Sequence, residues 1–307
     1  MAGSSLAGRL ASATRVFLVT MVFLSGGGLA LSASAQDDVA TDEVLADIGD
    51  DGVLTNCIDP AFPPMEYMED ANASDPTGFD IDLTNAIAER LGVEAEFVPL
   101  EFSGLLPGLQ SGRCDIVASG IYATPERLEA FGAQPYFNSA VVLVTTADND
   151  EINAPDDLSG KTVAVQSGTN NLATIEALDA QLRADGKEGI NIQTYPDQID
   201  ADQQLVVGRA DATITQDTQL AFRETEQPGQ FRIAYTYPES QTFAIFYNQD
   251  ATALGGALET IVEGMREDGS LAELATTWNL PEDGAEFTRD FGAEASPVAS
   301  PDATPAS

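Results

Sequence analysis

There is no histidine among the 307 residues of this chain, and bases are scarce: 13 lysines and arginines face 50 aspartates and glutamates. Without an imidazole, nucleophile–histidine pairs, HExxH zinc sites and histidine acid–base chemistry are excluded. Lys161 and Lys187 are the only lysines, so no clustered basic surface is available to nucleic acid. The formal charge of −37 favours solubility and the attraction of cations, and carries no information on fold. Cysteine occurs twice, at Cys57 and Cys114. In an oxidising compartment the two form a disulfide or stay as buried thiols; strand register decides, and one sequence does not settle register.

Long apolar runs are equally rare. The one run, residues 16–31, follows Arg9 and Arg15, is broken by Gly26, Gly27 and Gly28, and precedes an A-x-A pattern ending at Ala35. Residues 1–35 are therefore expected to be a secretory signal peptide, with an uncleaved anchor as the plainer rival, and 36–50 a linker. No cysteine lies just after the run, so a lipid-anchored start is not indicated. The mature protein is expected outside the cytoplasm, periplasmic or at the cell surface. Residues 291–307, rich in Pro, Ala and Ser, read as a disordered tail.

Between these ends, short apolar strands alternate with helical periods. "GVLTNCID", "VEAEFVPL" and "CDIVASG" read as strands, separated by the helices "FDIDLTNAIAERLG" and "FSGLLPGLQSG". The pattern restarts at "KTVAVQ", with a helix capped by Thr169, and continues through "NIQTY", "DADQQLVVG" and "DATIT". This is an α/β pattern, each half a mainly parallel sheet flanked by helices. A shared L-x-x-G-R-x-D, in "LQSGRCD" and "LVVGRAD", marks one copy in each half. Two β-branched stretches without helical period, "NSAVVLVTTADND" and "SQTFAIFYNQD", read as crossings between lobes. The expected division is lobe 1 over 51–142, lobe 2 over 143–240 and a return to lobe 1 over 241–290, with a cleft between strand ends.

Thr124 and Pro125 read as the cap and first residue of a helix, which puts Arg127 in its first turn, where the helix dipole disfavours a cation. Such an arginine suits a carboxylate from outside the chain, although an ordinary ion pair is the usual fate of an arginine. "SGKT" at 159–162 is no phosphate loop: Pro155 stands where a glycine is required, and a strand follows. No cofactor or metal is expected.

Taken together, "FPPMEY", "GFDIDLTNAIAERLG", "FSGLLPGLQSGRCDI" and "ATPER" resemble the extracytoplasmic solute-binding proteins of amino-acid ABC transporters, the polar amino-acid-binding family. The resemblance runs from about Val53 to Leu280. It implies a two-lobed periplasmic-binding-protein-like fold (type II) with two hinge crossings, and a monomer that closes on a small amino acid and delivers it to a membrane permease. It implies that Arg127 holds the ligand carboxylate, with Thr169 and, more weakly, Asn170 at the facing helix start. Ser119 and Gly120 would offer a hydroxyl and an amide, and Phe62 and Phe102 would sandwich the side chain. Tyr122 stands where the family has a small hydroxyl residue, which narrows the pocket. The family aspartate that pairs with the ligand ammonium is replaced by Gln216, with Asp217 one residue later. Either a bulge lets Asp217 serve, or the amine is held otherwise, or the ligand is a carboxylate without an amine. Asp59, Glu66 and Glu101 lie near the presumed cleft and suit a cationic side chain; basic or uncharged ligands are favoured over acidic ones. The rival readings are a cyclohexadienyl dehydratase-like enzyme on the same scaffold and the sensor domain of a receptor.

With so unbalanced a charge, added salt is expected to raise the melting temperature by screening self-repulsion. A thermal scan in rising sodium chloride checks this, and an unchanged midpoint counts against it.

Overall fold

The computed structural model describes residues 42–49, 52–70 and 72–285. The expected signal peptide, its cleavage site and the tail lie outside them. In chain order the first elements are α1 (Asp42–Asp47), β1 (Val53–Ile58), β2 (Ala61–Phe62), β3 (Glu66–Tyr67), α2 (Phe79–Leu91), β4 (Glu94–Pro99), α3 (Leu105–Gln110), β5 (Ile116–Val117), α4 (Pro125–Ala130) and β6 (Gly132–Thr146). They continue as β7 (Thr162–Gln166), α5 (Asn170–Ala184), β8 (Asn191–Tyr195), α6 (Gln198–Val206), β9 (Ala212–Gln216), α7 (Asp217–Glu226), β10 (Phe231–Tyr247), α8 (Thr252–Glu267) and α9 (Ser270–Thr277).

The main sheet runs β4-β1-β5-β10-β6-β9-β7-β8. Its flanks repeat one arrangement, a central strand with a parallel neighbour on each side: β1 between β4 and β5, β7 between β8 and β9. The shared L-x-x-G-R-x-D is the structural mark of this repeat. In each copy a helix ends at a glycine with φ 70°, Gly112 or Gly208, and the aspartate three residues on fastens the start of the central strand. Asp115 Oδ2 accepts from the Thr55 amide at 2.8 Å, and Asp211 Oδ2 accepts from the Thr162 amide at 2.7 Å. The result is an α/β fold of two lobes with two extended crossings.

Those crossings are β6 and β10, which pair antiparallel along their whole length, from Thr146 against Phe231 to Gly132 against Tyr247. They are longer than the sequence suggested; β10 starts nine residues before "SQTFAIFYNQD", through Phe231 and Pro238. Helices turn one apolar face to the sheet. In α2, buried Phe79, Leu83, Ile87 and Leu91 recur every fourth residue, and α8 buries Leu254, Leu258, Ile261, Val262 and Met265. The stretch expected as a linker contains α1, whose Val44 is buried and whose Asp47 carboxylate accepts from the Ala253 and Leu254 amides, both at 3.0 Å, capping α8. Thus part of 36–50 belongs to the fold, because an acidic helix end meets the free amides of another helix.

Cys57 on β1 and Cys114 before β5 are joined, with Cα atoms 5.7 Å apart and a sequence separation of 57. Closing a loop of that length should stabilise the fold by about 4 kcal/mol through the unfolded chain. Thiol titration of denatured, unreduced mature protein is expected to find no free thiol, and reduction is expected to lower the denaturation midpoint. One or more free thiols would contradict the bond.

Candidate ligand-binding cleft

The parallel strands of both lobes aim their carboxyl ends at one cleft. From lobe 1 it is lined by Phe62, Glu66, Phe102, Ser119, Gly120, Tyr122 and Arg127, and from lobe 2 by Gln166, Thr169, Asn170, Asn171 and Gln216. Nine of the ten residues singled out from sequence are thus brought together. Among the lining residues Arg127 is the one base and Glu66 the one acid.

Arg127 is placed as its local sequence requires. Thr124 caps α4, its hydroxyl accepting from the Arg127 amide at 3.4 Å, and Pro125 opens the helix. The guanidinium donates through Nη1 to the Tyr122 carbonyl at 2.8 Å, and its carbon lies 5.8 Å from the Phe102 ring centre. No carboxylate pairs with it among the described residues, whose ion pairs use other bases. Burial lowers its pKa to about 10. The cleft therefore holds a partly desolvated cation without a counter-ion.

The wall beside it is fixed by lobe 1's own hydrogen bonds. Ser119 donates its hydroxyl to Glu66 Oε1 at 2.6 Å and accepts from the Asp59 amide at 2.9 Å; the Gly120 amide donates to Asp80 Oδ2 at 2.7 Å. Ser119 and Gly120, expected to offer these donors to a ligand, line the cleft with both donors engaged by buried carboxylates, whose desolvation is costly. Gly120 remains a wall residue of a particular kind. Its φ is 51°, and a Cβ there would lie 2.6 Å from the Phe62 ring, so glycine is what lets that ring close over the strand end. Tyr122 is buried and stacks on Phe243 with ring centres 4.8 Å apart. Its hydroxyl lies near Ser139 and Gln216 without a hydrogen-bond partner of good geometry, and burial raises its pKa.

On the facing side, Thr169 caps α5, accepting from the Leu172 amide at 3.2 Å and donating to the Gln166 carbonyl at 2.9 Å. Asn170 donates to Gln241 Oε1 at 3.1 Å. Asn171, which sequence reasoning missed, is 2% exposed, with its Oδ1 unpartnered. Gln216 ends β9 and reaches the cleft. Asp217 does not: its Oδ1 accepts from the Ser139 hydroxyl at 2.7 Å and the Ala140 amide at 3.1 Å. The idea that a bulge lets Asp217 serve is therefore corrected, since this carboxylate is held against β6.

Gln166, also missed, bridges the cleft. Its amide Nε2 donates to Asp59 Oδ2 at 2.6 Å. Its place at the carboxyl end of a central parallel strand was the available signal. Asp59 does not line the cleft itself; burial, with Asp197 and Glu101 adding to it against the Gln166 hydrogen bond, raises its pKa to about 7. Glu101 lies outside the lining as well.

The profile of bacterial extracellular solute-binding proteins, family 3, matches residues 54–281. The chain is 26% identical to the L-cystine-binding protein TcyA of Bacillus subtilis (strain 168), over 85% of this chain and 94% of that one. It is similar in structure to an ancestral arginine-binding protein bound to arginine, with TM-score 0.68 and 30% identity, covering 74% of this chain and 98% of that one. A further neighbour is the ancestral amino acid-binding protein AncCDT-1, a precursor of cyclohexadienyl dehydratase, with TM-score 0.66 and 29% identity over 74% of this chain and 95% of that one.

Buried carboxyls give the fold an unusual pH dependence. Burial raises Asp59 to about 7, and Asp80 and Asp202 each to about 6. Each binds its proton more tightly folded than unfolded, so its contribution is complete at low pH and is lost as pH rises through 6 to 7. Ligand-free protein is expected to melt at a higher temperature at pH 5 than at pH 8. Calorimetry at both values checks this; the reverse order would contradict it.

Proposed function

Because the chain belongs to the bacterial extracellular solute-binding proteins, family 3, we propose that it captures a small amino acid outside the cytoplasm by closure of its lobes and delivers it to the permease of an ABC transporter. The observation that carries this reading is Arg127, a cleft guanidinium with no carboxylate of its own among the described residues. A ligand carboxylate supplies the missing charge through paired hydrogen bonds. The first turn of α5, capped by Thr169, approaches from the other lobe, so a ligand held by both sides favours the closed arrangement. Phe62 and Phe102 supply apolar walls for the side chain.

A basic side chain is favoured. Asp59, Asp197 and Glu101 form an acidic field beside the cleft, and an acidic ligand would be repelled by it. Export by the leader, action as a monomer and the lobe boundaries at 142/143 and 240/241 are parts of the same proposal. No helix among the described residues is long and apolar enough to cross a membrane, which agrees with it.

The similarity to AncCDT-1, described as a precursor of cyclohexadienyl dehydratase, and the buried acid Glu66 in the cleft favour one second reading, an enzyme. Incubation with prephenate or arogenate is expected to give no product; turnover would establish the enzyme instead.

The binding reading is tested by thermal-shift screening against the amino acids and related amines and carboxylates. A cognate ligand at a hundredfold excess over Kd is expected to raise the melting temperature by roughly 5–10 °C. Arg127→Ala is expected to weaken binding about a hundredfold, roughly 3 kcal/mol. Unchanged affinity in that variant would sink the assignment.

A further inference from the structure

Glu66 is fully buried and borders the cleft. Its Oε1 accepts the Ser119 hydroxyl, while no N–H or O–H donor of another residue reaches its Oε2. Asp80, equally buried, lies directly behind it and is not a lining residue. Asp80 Oδ2 takes the Gly120 amide at 2.7 Å and the Tyr136 hydroxyl at 2.8 Å, and Oδ1 takes neither. The two buried carboxyl groups act on each other's ionisation, each leaving one oxygen without a donor from the rest of the protein. Two ionised carboxylates cannot stand close together away from water, so the pair keeps one proton and a single negative charge. No cation answers this charge: the ion pairs among the described residues use other acids, and Arg127 is turned to the Tyr122 carbonyl.

We infer that this carboxyl pair, through Glu66, receives the ammonium group of the bound amino acid. The inference rests on the preceding reading, in which Arg127 takes the carboxylate. A zwitterion then neutralises both uncompensated charges of the cleft at once. The alternatives among the cleft groups are weaker. Gln216 and Asn171 offer amide oxygens, which accept a hydrogen bond but do not neutralise a charge. Asp217 is held by β6 and Asp59 by Gln166.

The charged and titratable groups facing Glu66 are Asp80 from α2, Asp59 after β1, Tyr136 from β6, and Tyr122 and Arg127 in the cleft. The ammonium prefers the pair ionised. As pH falls through about 6 the pair takes up its second proton, becomes neutral and loses its preference for an amine.

The test is calorimetric titration of the full-length mature protein with L-arginine and with 5-guanidinopentanoate, which keeps carboxylate and guanidinium but has no ammonium. At pH 7.5 L-arginine is expected to bind at least a hundredfold more tightly. At pH 5 that ratio should fall about tenfold; Asp59 acts on the guanidinium of both ligands and cancels in the ratio. Glu66→Gln should reduce the ratio at pH 7.5 at least tenfold, weakening L-arginine far more than 5-guanidinopentanoate. Should the variant not fold, the ratio and its pH dependence in the unaltered protein decide by themselves. Equal affinities, or a ratio flat with pH, overturn the inference and leave the binding function standing. Equal weakening of both ligands by Glu66→Gln would place the guanidinium at Glu66 and overturn it too. Failure of both ligands to bind overturns it together with the basic amino-acid reading.

Discussion

A carboxylate taken out of water must be met by donors, and at Asp80 that requirement organises the first lobe. Its oxygen gathers the Gly120 amide from the end of β5 and the Tyr136 hydroxyl from β6, while Glu66 on β3 leans on it and takes Ser119 in turn. Four elements distant in sequence are thereby held at one buried point. The shape of the cleft wall follows. With the Gly120 amide committed inward, its Cα is left facing the Phe62 ring, and the space that a Cβ would occupy is already filled.

The cleft is consequently a place where the fold leaves charge unresolved. Elsewhere a buried base meets a buried acid: Arg223 lies 2.9 Å from Asp202, and Asp202 also accepts from Gln198 at 2.8 Å. Such a pair costs desolvation at both partners and recovers part of it in the interaction. Arg127 and the Glu66–Asp80 pair are desolvated without that recovery. A chain selected for stability alone would have joined or removed them. Keeping them apart makes the ligand-free cleft less stable and leaves the largest favourable electrostatic change to the moment of binding.

Much of this was legible beforehand, and what escaped has a common cause. The alternation of strands with helices, the start of α4 at Thr124–Pro125 and the Gly-Arg-x-Asp echo depend on neighbours in sequence, where periodicity and capping act. The inward partners of the Ser119 and Gly120 donors escaped because Glu66 and Asp80 stand 53 and 40 residues away. Asp217 was considered as a ligand contact because its spacing is nearly right, yet Ser139 and Ala140 compete for it from another strand. The early part of β10 escaped because Pro238 interrupts its pattern, a residue that sheets tolerate at a bulge. Its register shifts between Thr236 and Ser240, which oppose Val142 and Ala140.

That bulge sits where the two crossings run side by side, and it bears on how the lobes can move. A bulge adds twist to a strand pair and lets it bend without losing its ladder on either side. Since β6 and β10 pair with each other on both sides of the bulge, the lobes are joined by one ribbon and not by two independent tethers. Turning the ribbon about its length carries both strands together and spares the bonds between them. Sliding one crossing past the other would move every apolar side chain off its face. The soft motions left to the ribbon are its bend and its twist at the bulge, so the lobes turn relative to one another with both crossings moving together.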